Sequence, residues 1–251
     1  MIVLLLGPIA LLLLPWLLGP SARDGRLRPE VHGLLTILWW LNRGYCVAVH
    51  RLVNFDEAPL PEHGPAILVS NHTSPVDNLV LQAGCRRVLG FMVAREFYDA
   101  PLIGPMCRIL RCIPVRRDGR DLAGVREALR ALADGRLLPI FPEGRITFES
   151  GRAFGPGKPG AAFLTLRSRV PVIPAYIRGT PETKVVAKAL FTPSKARVLY
   201  GPPIDLSDLL DGDSESDDHG RDKARLAAIT DRLMDAIKSL RDRSLALEGT
   251  T

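Results

Sequence analysis

Aromatic residues make up only 6% of the 251, and no basic run is interleaved with rings on which bases stack. That argues against a nucleic-acid-binding protein, despite 33 Lys and Arg against 27 Asp and Glu. There is no C-x-x-C pair. The four cysteines, Cys46, Cys85, Cys107 and Cys112, stand apart from one another and from any histidine at zinc spacing. No metal site is implied, and free thiols in a reducing compartment are expected. A Cys107–Cys112 disulfide has no support in the sequence. No serine sits in a Gly-x-Ser-x-Gly setting, which removes a nucleophile elbow from consideration. No internal repeat is present, so a solenoid or propeller is excluded. No charged residue precedes the first apolar run, so the basic leader of a secretory signal is missing.

What the chain does have begins with that run. Met1 to Leu18 is almost continuously apolar and is interrupted only by Gly7, Pro8 and Pro15. It approaches the roughly 20 residues needed to span a bilayer. Arg23, Arg26 and Arg28 follow directly, and the positive-inside tendency places them, and the chain beyond, on the cytoplasmic face. A second apolar stretch, Val31 to Val49, contains Asn42 and Arg43 near its middle and carries Trp39 and Trp40. Charge is costly at the bilayer centre, and tryptophans favour the interface. This stretch is expected to lie in the interface or to form a short re-entrant pair. Residues 1–50 are therefore expected to be an N-terminal apolar helical membrane anchor.

From about Pro61 the texture changes. Short apolar runs read as buried strands: Ala66–Ser70, Val88–Ala94, Cys112–Val115, Leu137–Phe141, Val172–Ile177 and Ala196–Tyr200. Helical patterns fall between them. One starts near Asp121, with Leu122, Val125, Leu129 and Leu132 on one face, and another covers about Lys158 to Ser168. Alternation of this kind predicts an α/β domain over residues 51–210, with a mainly parallel sheet flanked by helices. Residues 211–251 read as an acidic linker (Gly212 to Gly220) followed by an amphipathic helix. Its apolar positions are Leu226, Ile229, Leu233, Ile237 and Leu240. Packing against the domain is the expected role of this helix, because its polar face mixes Asp with Lys and Arg; binding to a membrane surface is the alternative.

Two polar clusters follow predicted strands. The first is Asn71-His72-Thr73-Ser74-Pro75-Val76-Asp77. Histidine is the side-chain type suited to take a hydroxyl proton near neutral pH, and a carboxylate on its other ring nitrogen fixes the tautomer. Pro75 favours a turn that brings Asp77 back toward His72. Taken alone, the same residues also suit a capped turn with a surface histidine. The second cluster is Phe141-Pro142-Glu143-Gly144-Arg145-Ile146-Thr147. Glu143 there can bond a hydroxyl or pair with an arginine, and Arg145 suits a phosphate. In an open parallel sheet, ligands bind beyond the carboxyl ends of the strands. Both clusters fall there.

In order and spacing, these motifs resemble the glycerolipid acyltransferase family, typified by 1-acylglycerol-3-phosphate acyltransferases. The resemblance rests on His72-x4-Asp77, on the strand segment Ile113 to Asp118 containing Arg117, on Phe141-Pro142-Glu143-Gly144, and on Val170-Pro171-Val172-Ile173-Pro174. Met92 to Glu96 adds to it. It implies that His72 is the base and Asp77 its orienting partner. Asn71, Arg117, Phe141, Pro142, Glu143, Gly144, Arg145 and Lys158 would form the substrate-binding region. Backbone N–H groups near Gly144 are the expected oxyanion donors. It further implies an acyl thioester of acyl carrier protein or CoA as co-substrate, no cofactor, and membrane lipids with a lysophospholipid acceptor as partners. The family usually places a small residue between its FPEG motif and the next arginine. Here Arg145 follows Gly144 directly, and FPEGRIT is similar to lysophosphatidylethanolamine-type acyltransferase domains. The resemblance implies 1-acyl-sn-glycerol-3-phosphate as acceptor and phosphatidic acid as product; another lysolipid (lysophosphatidylethanolamine or an amino-lipid) and a non-catalytic membrane lipid-binding protein are the alternatives.

Overall fold

The computed structural model describes residues 31–54, 57–101, 103–116, 121–147, 152–211 and 219–248. The first apolar segment, Met1 to Leu18, lies outside the described residues, as does most of the acidic linker.

Elements follow in the order α1 (Leu34–His50), β1 (Val53–Asn54), β2 (Ala66–Ser70), α2 (Asp77–Ala83), β3 (Met92–Ala94), α3 (Arg95–Tyr98), α4 (Gly104–Ile109), β4 (Ile113–Val115), α5 (Leu122–Ala133), β5 (Leu137–Ile140), α6 (Pro159–Ser168), β6 (Val172–Arg178), α7 (Val186–Phe191), β7 (Arg197–Tyr200), α8 (Ser207–Leu210) and α9 (His219–Glu248). The main sheet has the order β1-β7-β6-β2-β5, and β3 and β4 form a parallel pair beside it. A bridge from Leu89 to Leu137 joins that pair to β5. Of the predicted run Val88–Ala94, only the last three residues form ladder strand. Among the described residues, every strand pairing is parallel except β6 with β7. The carboxyl ends of β2, β5 and β6 therefore share one edge.

The two-residue period of the strands sorts their side chains onto two faces. From β2, Ala66 and Leu68 enter one core while Ile67 and Val69 enter the other. From β6, Ile173, Ala175 and Ile177 join the first core, and Val172 and Tyr176 the second. The first core is covered by α1, α2 and α4 through Cys46, Leu81 and Cys107. The second is covered by α5, α6 and α9 through Ala128, Ala162, Ile229, Leu233 and Ile237. Burial of apolar surface on both faces, at roughly 25 cal/mol per Å², is what favours this sandwich. The closing helix thus packs on the α/β domain rather than standing off as a separate unit. On α5 the buried positions are Gly124, Ala128, Ala131 and Leu132. Leu122, expected on that face, is 67% exposed.

The second apolar stretch also differs from its expectation. It is one helix, α1, rather than a re-entrant pair, and its polar residues face α2. Trp39 Nε1 donates to the Cys85 carbonyl at 2.7 Å, Asn42 Nδ2 to Leu79 at 2.9 Å, and Arg43 to Ala83 at 2.8 Å. The carboxyl end of α2 leaves carbonyls without intrahelical partners and carries the negative end of the helix dipole. Arg43 meets both needs at Ala83. Among the described residues, no helix is long and apolar enough to cross a membrane.

Candidate active site

The loop after β2 wraps around one carboxylate. Asp77 is fully buried at the first residue of α2. Its Oδ2 accepts hydrogen bonds from the Thr73 N–H at 2.6 Å, the Ser74 N–H at 2.8 Å and His72 Nδ1 at 2.9 Å. Its Oδ1 accepts from the Thr180 hydroxyl at 3.0 Å, and that hydroxyl accepts in turn from Thr73 at 2.6 Å. A carboxylate is an acceptor only, so His72 Nδ1 carries the proton in this pair. Nε2 then presents its lone pair away from Asp77, and no described residue bonds to it. The imidazole is also held from the side, because Phe141 stacks on it with centroids 4.0 Å apart and planes 9° from parallel.

The Phe141–Gly144 segment forms a turn in which the Gly144 N–H donates to the Phe141 carbonyl at 2.9 Å. Gly144 has φ of 71°, a backbone conformation that glycine adopts without strain. A Cβ there would lie 2.9 Å from the Lys158 ammonium, so Lys158 closes over the turn. Lys158 is anchored in turn by its own N–H, which donates to the Pro142 carbonyl at 2.8 Å. Arg145 and Lys158 are both exposed beside the turn.

Three expectations change. Asn71 was expected to touch substrate. Instead its side-chain amide copies a ladder pairing with Ile177, donating to the carbonyl at 2.7 Å and accepting from the N–H at 2.8 Å. Glu143 was expected to bond a hydroxyl or pair with an arginine, but its oxygens are engaged by backbone amides, His72 at 3.0 Å and Gly155 at 2.8 Å. It braces the histidine loop against the next loop. Burial pushes its carboxyl above the usual range, and the bonds from His72 and Gly155 oppose that shift. Of the backbone N–H groups near Gly144 expected as oxyanion donors, that of Gly144 itself is already used within its own turn. Arg117 lies outside the described residues.

Sequence reasoning missed Thr73 and Thr180, whose hydroxyls lie 2.6 Å apart beside Asp77. Thr180 follows the carboxyl end of β6 at the shared edge, and that position was the available signal. Gly179 before it has φ of 72° and packs so closely that a Cβ would meet the Lys195 carbonyl at 2.2 Å.

On the same edge a cleft of about 780 Å³ opens between β4 and α5. It is lined by Arg95, Arg116, Arg126 and Arg130 together with Asp121 and Glu127. Asp121 caps α5, accepting from the Gly124 and Arg116 N–H groups, and Glu127 pairs with Arg130. Among the described residues, no group of three or more His, Cys, Asp or Glu side chains could hold a metal ion. The four cysteines are free and buried, and burial pushes the thiols of Cys46, Cys85 and Cys112 up to about 12. That leaves them poor nucleophiles.

A two-layered helix cover on a mainly parallel sheet, with a His–Asp pair at the strand ends, defines an α/β enzyme fold. The fold is shared with the crystal structure of the 1-acyl-sn-glycerophosphate (LPA) acyltransferase PlsC from Thermotoga maritima, with a TM-score of 0.61, 19% identity, and 84% of each chain covered. Residues 47–178 match the Acyltransferase family, and the chain belongs to that family. It is 25% identical over 190 residues to the 1-acyl-sn-glycerol-3-phosphate acyltransferase of Bacillus subtilis (strain 168), covering 75% of this chain and 87% of that one. The enzyme of the same name from Limnanthes alba is 31% identical over 210 residues, covering 80% of this chain and 68% of its own. The protein is a glycerolipid acyltransferase.

Proposed function

We propose that the protein transfers a fatty acyl group from an acyl thioester to the free hydroxyl of a lysophospholipid, with 1-acyl-sn-glycerol-3-phosphate as acceptor and phosphatidic acid as product. The observation that carries the mechanism is the His72–Asp77 pair, with Nδ1 committed at 2.9 Å and Nε2 open. His72 Nε2 takes the proton of the acceptor hydroxyl as its oxygen attacks the thioester carbonyl. A C–O bond forms, and the carbonyl pair moves onto oxygen. Collapse of the tetrahedral species breaks the C–S bond, and Nε2 returns the proton to the departing thiolate. Asp77 holds the ring and balances its transient charge. Phe141 fixes the ring plane.

Arg145, Lys158 and Arg117 supply the positive charge for the acceptor phosphate in this reading. The arginine-lined cleft offers further anion-binding groups on the same edge, suited to the phosphates of the donor carrier, whether CoA or acyl carrier protein. No cofactor takes part. The acceptor is drawn from a membrane, and the catalytic domain works on its cytoplasmic face. The position of Arg145 directly after Gly144 favours testing a second acceptor class, lysophosphatidylethanolamine or an amino-lipid.

The test is acyl transfer by detergent-purified protein, supplied with acyl-CoA or acyl carrier protein thioester and a panel of lysolipids. Phosphatidic acid formed from lysophosphatidate, and lost in His72→Ala, is the expected result. Product only from another lysolipid would keep the chemistry and replace the acceptor. Full activity in His72→Ala would sink the mechanism.

A further inference from the structure

On α9, Thr230, Met234, Ile237, Arg241 and Ser244 recur at steps of four and three residues, the spacing that sets side chains on one helix face. Attachment of this helix to the domain is already secured by Ile229, Leu233, Ile237 and Leu240, all buried in the second core. The polar members of the stripe add nothing to that burial, and Ser244, 1% exposed, is costly there unless it is bonded. They meet two segments that lead to the catalytic pair.

The first segment runs from Phe154 to Gly157, between the Glu143 turn and α6. A Cβ on Gly157 would lie 2.7 Å from Thr230 Cγ2 and 2.8 Å from Met234 Cγ, so the backbone rests directly on α9. The Arg241 guanidinium lies over the Phe154 ring, its Cζ 5.2 Å from the centroid. Between these two contacts the Gly155 N–H donates to Glu143 Oε2 at 2.8 Å, and Oε1 of the same carboxylate accepts from the His72 N–H at 3.0 Å. The seat of this segment on α9 is thereby passed to the backbone of His72.

The second segment is the end of β6. Arg178 Nε donates to Ser244 Oγ at 2.9 Å. Gly179 follows, wedged against the Lys195 carbonyl. Thr180 comes next, and its hydroxyl bonds Asp77 Oδ1 at 3.0 Å. A tether on one side and a wedge on the other fix where that hydroxyl stands. One helix face therefore supports both members of the pair, His72 through Glu143 and Asp77 through Thr180. The match to the Acyltransferase family ends at residue 178, so α9 lies outside it.

We infer that Ser244 and Arg241 of α9 are positioning residues for acyl transfer, acting through Arg178 and Thr180 on Asp77 and through the Phe154 segment and Glu143 on His72. The inference rests on the reading of His72 as the base. Small displacements of a catalytic group lower the rate steeply while leaving substrate binding nearly intact. A positioning role therefore predicts losses in kcat rather than in KM, and losses that are shared with the residues through which α9 acts.

The test uses the full chain, at temperatures well below the unfolding of each variant. Ser244→Ala removes the acceptor for Arg178, and kcat should fall about tenfold with KM for thioester and acceptor within about twofold. In a Thr180→Val background the same substitution should add little, because both act on Asp77 along one path. Arg241→Gln should lower kcat in the same way, and Arg241→Lys should recover much of it. Lys238→Ala, an exposed position off the stripe, should change nothing. The second readout is the far-downfield proton NMR resonance of the His72 Nδ1–H bonded to Asp77, which should move in Ser244→Ala and Arg241→Gln and stay in Lys238→Ala. That signal needs no turnover, so it decides the inference even if the wild type transfers no acyl group, a result that would count against the proposed reaction alone. Unchanged kcat and an unmoved resonance in both variants would overturn the inference. So would losses that multiply in the Ser244→Ala, Thr180→Val double variant. Were Ser244→Ala too unstable to purify, the half-buried Arg241 site would decide by itself.

Discussion

The ring of Phe141 lies flat against the imidazole of His72, with centroids 4.0 Å apart and planes 9° from parallel. Asp77 fixes one ring nitrogen and Phe141 fixes the plane, so the direction of Nε2 is set by two independent contacts. A stacked pair contributes about 0.5–1.5 kcal/mol beyond its buried area. Phe141→Leu should keep the apolar volume and release the plane. The expected outcome is kcat reduced about tenfold with a smaller change in KM for the acceptor. Unchanged kcat would show that the stack is incidental.

Thr180 comes from a different strand and donates to Asp77 Oδ1 at 3.0 Å. Thr180→Val is nearly isosteric and deletes the hydroxyl bond that a second strand brings to the carboxylate. A buried bond to a charged group contributes about 1.5–3 kcal/mol, so thermal unfolding should shift downward by several degrees. Acyl transfer should fall, and Thr180→Ser should recover much of both losses.

Glu143 accepts from two backbone amides on separate loops. Glu143→Gln leaves one oxygen to accept and turns an NH2 toward the other N–H. Loss of one bond and exposure of a buried donor to a donor should cost about 1–3 kcal/mol. The raised carboxyl gives this a pH signature. As pH rises from the ordinary carboxyl range through the folded-state value, the unfolded chain releases its proton first, so the wild type loses stability. Glutamine cannot titrate, so the stability deficit of Glu143→Gln relative to wild type should narrow across that window. A gap that widens with pH would contradict the assignment.

His50 is fully buried between the Tyr45 hydroxyl, 3.0 Å from Nε2, and the Ser194 hydroxyl, 2.9 Å from Nδ1. Tyr45 spends its proton on Leu190, so Nε2 donates to it and Nδ1 accepts from Ser194. This arrangement needs a neutral ring, and burial lowers the histidine below its usual 6.5. Below that value the unfolded chain takes up the proton first, so stability is lost as pH falls toward the lowered folded value. His50→Gln keeps a donor and an acceptor but does not titrate. Its melting temperature should approach the wild-type value as pH drops from about 7.5 to 5. A constant difference would remove His50 from the acid response.

Much of this protein was legible from its residues alone. Apolar runs marked most of the strands because a two-residue period is a local property: Ala66–Ser70 was found whole and the five other predicted runs each hold a strand, whereas the two-residue β1, Val53–Asn54, was not among them. The apolar spacing of Ile229, Leu233 and Ile237 marked the closing helix for the same reason. His72 and Asp77 were legible because they lie on one short loop. The rest depended on contacts that no local pattern encodes. Asn71 meets Ile177 from 106 residues away, and Thr180 meets Asp77 from 103 away, because strand order sets β6 beside β2. Arg43 reads alike whether it lies at a lipid interface or at the end of another helix, and packing of α1 on α2 made that choice. Glu143 can reach a hydroxyl, an arginine or two amides. Which of these it meets was decided by where the loops after β2 and β5 come together, since a buried carboxylate keeps only those donors that the fold delivers to it.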